Sequence, residues 1–274
     1  MRARGQILVA AVLVVGLLVM SVLVTAYQAH ALFLRTRSVV VRETAAAITA
    51  DFERALAAML ALATRALFNY TRFSNFTSRF EGYGLKPGDL DSAKLVARRF
   101  LEEWEAAVRV VYAEKGAQVE WFETVCALPS EVGMGEVYVY DLMYVSWYRR
   151  NAGSFICAGL NLNLTNAGFY GWKKVLLAGF SLAIVNAAGS EVNVTARVDN
   201  GTLYGNLLAR GWVEVYYREA GSEEWVKAKV KDVVYEGFGN YRIVLDGSLP
   251  AKGWVRVVAS DERGILAVAE VSLG

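Results

Sequence analysis

The sequence predicts an α+β fold: an N-terminal transmembrane helix continuing into a long helix, a helical hairpin, and two antiparallel β units, the last a sandwich. Three observations carry that expectation. The run from Ile7 to Tyr27 is uncharged and almost wholly apolar, apolar residues from Val41 to Ala66 recur at 3-4 spacing, and after Gln118 the apolar period switches to two. A chain of 274 residues has room for about two folded units and a targeting segment. The expected boundaries are 1–34 for the signal and transmembrane helix, 35–117 for the helical hairpin stalk, 118–188 for a β-rich domain and 189–274 for the sandwich. A hydrophobic content of 55% excludes a disordered chain, which buries too little apolar surface to offset its ordering entropy. A net charge of +2 from 29 basic and 27 acidic residues excludes a nucleic-acid binder acting by bulk electrostatics. One histidine and two cysteines leave no material for a zinc or haem site, so neither a metal nor a small-molecule cofactor is expected.

The apolar run from Ile7 contains only Ser21 and Thr25 as polar residues and matches the roughly 20 needed to cross a bilayer. It exceeds the 7–15 apolar residues of a cleavable secretory signal. The segment is therefore expected to stay in the chain, with the lipid bilayer as its first partner. Basic residues are nearly balanced across it, with Arg2 and Arg4 before and Arg35, Arg37 and Arg42 after, so charge alone does not orient the chain. Sequons at Asn69, Asn75, Asn163, Asn193 and Asn200 favour an exposed, glycosylated exterior. The expected location is the cell membrane, single-pass, with the C-terminal bulk extracellular.

The string Arg2-Ala3-Arg4-Gly5-Gln6, directly before the apolar run, resembles the class III signal peptide of archaeal type IV pilin-like proteins. That resemblance implies cleavage between Gly5 and Gln6 by a prepilin-type peptidase, with the hydrophobic helix kept in the mature protein. It also implies other pilin-like subunits as partners. The sequence departs from the pattern at Ala10, the fifth mature position, where many pilins carry a glutamate for subunit registration.

Beyond the apolar run the seam Val41, Ala45, Ile48, Phe52, Ala55, Met59, Leu62, Ala66 predicts that one helix continues without a break to Phe68, since no proline interrupts it. A second helix is expected over 91–115. Asp89, Asp91 and Ser92 offer capping oxygens, Phe100, Leu101, Trp104, Val108, Val111 and Tyr112 form its apolar face, and Gly116 ends it. The two are expected to pack antiparallel. The connection 69–88 interleaves aromatic residues with Arg72 and Arg79, which reads either as a partner surface or as cover for a domain boundary.

After Gln118, alternating segments at 119–127, 136–148, 155–165 and 174–185 are separated by Gly and Asn clusters. Cys126 and Cys157 fall in two of them. Outside the cell a bond between them closes a loop worth about 3–4 kcal/mol of chain entropy. The alternative is two buried thiols packing as small hydrophobes. The expected exterior favours the bond. From Glu191, seven short candidate strands reach Val271. The stretch from Gly239 through Asp261 resembles the last strands of immunoglobulin-like or fibronectin-type surface modules, which implies an Ig-like spacer or adhesion domain and no particular ligand.

No catalytic residue is expected. The single histidine, His30, has no second histidine with which to build a Ser/His/Asp or Cys/His arrangement, and no phosphate-binding glycine loop occurs. The expectation is a membrane-anchored, extracellular pilin-like surface glycoprotein with a structural or adhesive role, a minor component of a type IV pilus-like filament. The alternative is a monomeric, single-pass membrane-anchored binding or assembly protein outside any filament. An extracytoplasmic hydrolase would need a cleft with paired carboxylates of perturbed pKa.

Overall fold

The structure, a computed structural model, describes residues 2–68, 89–128, 134, 137–199, 201–203, 205, 208 and 212–274, and the side chains of all of these except 2–19, 29–38, 203 and 212. The first helix, α1 (Arg2–Phe68), is unbroken. Its second half buries one stripe, with Val41, Ala45, Ile48, Phe52, Leu56 and Leu60 no more than 7% exposed, while Arg42, Glu43, Asp51, Glu53 and Arg54 lie on the other side. The second helix, α2 (Leu90–Val111), starts where the Asp89 carboxylate accepts a hydrogen bond from the Asp91 amide. A 3-10 turn, Ala113–Lys115, follows it and ends at Gly116 in the left-handed region, φ 64°. Phe52 lies 4.8 Å from Trp104 between ring centroids, and the Trp104 Nε1 donates to Asp51, which fixes the antiparallel pairing of the two helices.

The remainder is strand: β1 (Ala117–Glu123), β2 (Cys126–Ala127), β3 (Tyr138–Val139), β4 (Met143–Ser146), β5 (Asn151–Leu164), β6 (Phe169–Ala188), β7 (Glu191–Val198), β8 (Thr202–Leu203), β9 (Trp212–Glu219), β10 (Val226–Ala228), β11 (Val230–Gly237), β12 (Asn240–Leu245), β13 (Gly253–Ser260) and β14 (Leu266–Leu273). The large antiparallel sheet runs β1-β5-β6-β7-β12-β11, with β4 beside β5 and β8 beside β7. A four-stranded sheet runs β10-β9-β13-β14, and β2 pairs β3. Even-numbered residues of β5 and β6, among them Ile156, Leu160, Ala178 and Leu182, share one core with α1, α2 and the inner face of the small sheet at Val215, Val255, Val257 and Ala267. On the opposite face of β5, Phe155 and Cys157 close a second cluster with Cys126, Leu128 and Val139.

Two expectations are corrected. Among the described residues no helix is long and apolar enough to cross a membrane, which overturns the N-terminal transmembrane helix in the expected fold class. From Val41 the helix is one-sided and charged on its outer face. Nor do the strands divide into two β units with an Ig-like sandwich at the end. The turn Gly189-Ser190, with Gly189 at φ 58°, joins β6 to β7 as a hairpin, so the large sheet runs straight across the expected boundary. β12 and β11 then extend that same sheet, and only β9, β10, β13 and β14 form the second layer.

Two sheet edges are closed by side chains or by irregular chain. Arg109 donates through Nε and Nη2 to the Val119 carbonyl at 2.9 and 2.8 Å, and the Trp121 amide donates to Glu105, so α2 caps the β1 edge. Along β14, the Tyr148 amide donates to the Val268 carbonyl, the Glu270 amide to the Arg149 carbonyl, and the Leu266 amide to the Thr64 hydroxyl. Such closure removes templates for uncontrolled strand pairing.

Candidate functional site

Two surfaces stand out by chemistry. The first is the arm formed by α1 before its embedded half. Residues 20–28 are all exposed, and Met20, Val22, Leu23, Val24 and Tyr27 are between 52% and 75% exposed. The segment carries no charge, and its polar Thr25 turns its hydroxyl back to the Ser21 carbonyl at 2.8 Å. A helix that is apolar on every side is stable only where something covers it.

The second surface is the outer face of the small sheet. The register of β13 against β9 and β14 sets Trp254, Arg256 and Val258 beside Arg218, Tyr216 and Glu214 on one flank and beside Ser272, Glu270 and Val268 on the other. Arg256 is held to Glu270 at 2.9 Å from Nε and 2.8 Å from Nη2. Its guanidinium carbon lies 4.0 Å from the centroid of Trp225 and 4.7 Å from that of Tyr148, and Arg218 approaches Trp225 at 5.0 Å. Arg218 and Arg256 thus both stack on Trp225, and Arg256 also on Tyr148, an arrangement in which the ring faces attract the guanidinium groups. Nearby, buried Glu214 accepts from Lys227 and from the Tyr216 hydroxyl. With Tyr148 at 52% and Trp254 at 40% exposure, the face offers ring area beside guanidinium groups, a composition common at binding surfaces. Glu214 and Glu270 are both held by cations.

A third polar group is architectural. Arg263 donates to Asp261 at 2.7 Å, to Asp199 at 2.7 Å and to the Gly179 carbonyl at 2.8 Å, joining the β13–β14 turn to β6 and to the end of β7. Burial raises the Asp261 pKa, with Arg263 and the Ile265 amide opposing that rise. On the opposite flank Lys94 and Arg98 both bond Asp141, and the Lys94 hydrogen bond leads in holding that carboxyl below its usual range. Among the described residues, no group of three or more His, Cys, Asp or Glu is placed to hold a metal ion.

The residues singled out from the sequence fall as follows. Gly5 and Gln6 lie in the first turns of α1. Cys126 and Cys157 are bonded to each other, Cα atoms 6.2 Å apart, and the bond ties the short β2–β3 sheet to the outer face of β5. Asn69, Asn75 and Asn200 lie outside the described residues, as does the aromatic connection 69–88. Asn163 and Asn193 are half-buried on strands β5 and β7. The Asn163 carboxamide oxygen accepts from the Gly171 amide at 2.7 Å, and the hydroxyls of Thr165 and Thr195 donate to the Gly116 carbonyl and to Asn240. None of these positions meets the stacked face. The stack was only half visible in sequence, because Trp254 and Arg256 are two apart on a strand, whereas Tyr148 and Trp225 arrive from irregular segments with no period to mark them. Comparison with known protein families, curated proteins and solved structures returns no match.

Proposed function

We propose that this chain is an extracellular structural subunit of pilin-like build, which assembles through the apolar arm of α1 and presents its β head outward. One observation carries the reading. A single 67-residue helix has one half packed into the head and the other half apolar and exposed at 20–27, so the arm requires cover from outside the head. The Cys126–Cys157 bond supports an oxidising compartment, where such bonds persist. The Arg-Gly-Gln string at 4–6 supports processing between Gly5 and Gln6 by a prepilin-type peptidase. The stacked face around Arg256, remote in sequence from the arm, suits an adhesive contact and also favours the second reading, a monomeric surface binding protein.

The test is self-association of the full chain in mild detergent, measured by sedimentation velocity. The native chain is expected to oligomerise and the double variant Leu23→Glu, Val24→Glu to remain monomeric with an unchanged head by circular dichroism. A native chain that sediments as a monomer across the micromolar range overturns the assembly reading in favour of the monomeric one. Intact mass of the protein from its natural membrane fraction or medium is expected to place the mature N-terminus at Gln6; a terminus at Met1 removes the peptidase from the proposal.

A further inference from the structure

The hairpin between β11 and β12 turns through Gly237, Phe238 and Gly239, with φ values of 92°, 52° and 72°. A tight hairpin turn with left-handed central residues matches the twist of the flanking strands and favours Asn, Asp or Gly at its first central place. Phenylalanine there sets its Cβ against a backbone carbonyl. Four other non-glycine residues of the described chain have positive φ: Asp141, Leu142, Tyr148 and Asp199. The two aspartates belong to a type that tolerates the conformation. Leu142 is fully buried, and the Tyr148 ring stacks on Arg256, so their backbone strain is offset by contacts inside the molecule. Phe238 has no such compensation. At 81% exposure it is the most exposed large hydrophobic residue described.

The charged groups beneath the ring are held in an ion-paired cluster. Arg242 bonds both Glu236 and Glu191, and the Thr195 hydroxyl donates to Asn240 at 2.7 Å. The tip is therefore an apolar knob on a base where Arg242 is shared by two carboxylates, which leaves one negative charge in excess. The arm has the complementary character: uncharged through 20–28, with Met20, Leu23, Val24 and Tyr27 at helical spacing along one side. An aromatic ring entering between those side chains carries no charge itself and meets none on the arm.

We propose that Phe238 of one copy seats among the side chains of residues 20–27 on the arm of a second copy. The proposal deepens the assembly reading and rests on it. Knob and arm are different patches of the same chain, so the contact is head-to-tail and, unless its rotation closes a ring, propagates from copy to copy.

The experiment uses the full chain in mild detergent and the variant Phe238→Asn. Asparagine suits the turn, so the thermal midpoint is expected to rise by about 2–4 °C, while self-association weakens by about tenfold or more. A photoreactive phenylalanine analogue at position 238 is expected to cross-link to a peptide containing residues 20–27 of another copy. A fall in thermal midpoint on Phe238→Asn, unchanged association, or cross-links confined to the head each overturns the proposal. The Leu23→Glu, Val24→Glu variant separates the two levels. Association lost there yet kept in Phe238→Asn sinks the knob alone, whereas a native chain that does not associate sinks the assembly reading and the knob with it.

Discussion

The two ends of α1 are one helix under two different rules. From Val41 onward, burial is confined to a stripe: Ile48, Phe52, Leu56 and Leu60 are fully buried against α2 and both sheets, and charged residues fill the opposite side. Over residues 20–28 there is no stripe, since every side chain is exposed and none is charged. The embedded half is stabilised by the packing of its own head, and the arm by whatever covers it. Stability of the isolated chain should therefore be sensitive to the embedded half and blind to the arm, and assembly the reverse.

The largest expected contrast comes from truncating each half. Phe52→Ala removes a buried ring packed on Trp104 and should cost about 3–5 kcal/mol in chemical denaturation, whereas Leu23→Ala should lie within about 0.5 kcal/mol of the native chain. Equal losses would show that the arm packs on its own head. Next in size is the disulfide: replacing Cys126 and Cys157 together by alanine should cost about 3–4 kcal/mol without changing association through the arm. A smaller loss is expected within the sheet. The Phe155 ring lies across Gly179, where an added Cβ would come within 2.2 Å of it and 2.9 Å of the Ser154 carbonyl oxygen. Because Phe155 is 1% exposed and cannot swing away, Gly179→Ala should cost about 1–3 kcal/mol. Normal stability for Gly179→Ala would mean that the second cluster is loosely packed.

The smallest effect concerns pH. Asp141, bonded by Lys94 and Arg98, has its folded pKa below the unfolded value. Its contribution is therefore present above the ordinary carboxylate range near 4 and is lost as pH falls through the lower, folded value. The carboxylate is half exposed, so screening keeps the effect under about 1 kcal/mol. Asp141→Asn should flatten the acid limb of the thermal midpoint against pH slightly and leave neutral behaviour nearly unchanged.

Several local features were legible in the residues. The absence of proline before Phe68 is consistent with the unbroken α1, Asp89 caps α2, and Gly116 takes the left-handed stop. Alternation at Ile156, Ala158, Leu160, Leu162 and Leu164 marks the core-facing side of β5. What misled was reading the chain as successive units. The segment from Glu191 has the short-strand rhythm of a separate sandwich, yet Val194 pairs with Ile184 of β6 and with Tyr241 of β12, so its strands are shared between two layers. Period and turn residues report the conformation of neighbours in the chain, and they are silent on which distant strand completes a hydrogen-bond ladder.

The sequence by itself determined the elements, the one-sided character of the embedded helix, the uncharged arm and the two cysteines able to bond. These depend on side-chain chemistry within a turn or two of chain, where period and capping act. Only the tertiary structure decided that the strands merge into one eight-stranded sheet backed by a four-stranded one, that Arg256 is held between Trp225 and Tyr148, and that Phe238 is left bare at a strained turn. Those outcomes depend on contacts between residues far apart in sequence, where many pairings satisfy the same local pattern and close packing of the whole core selects among them.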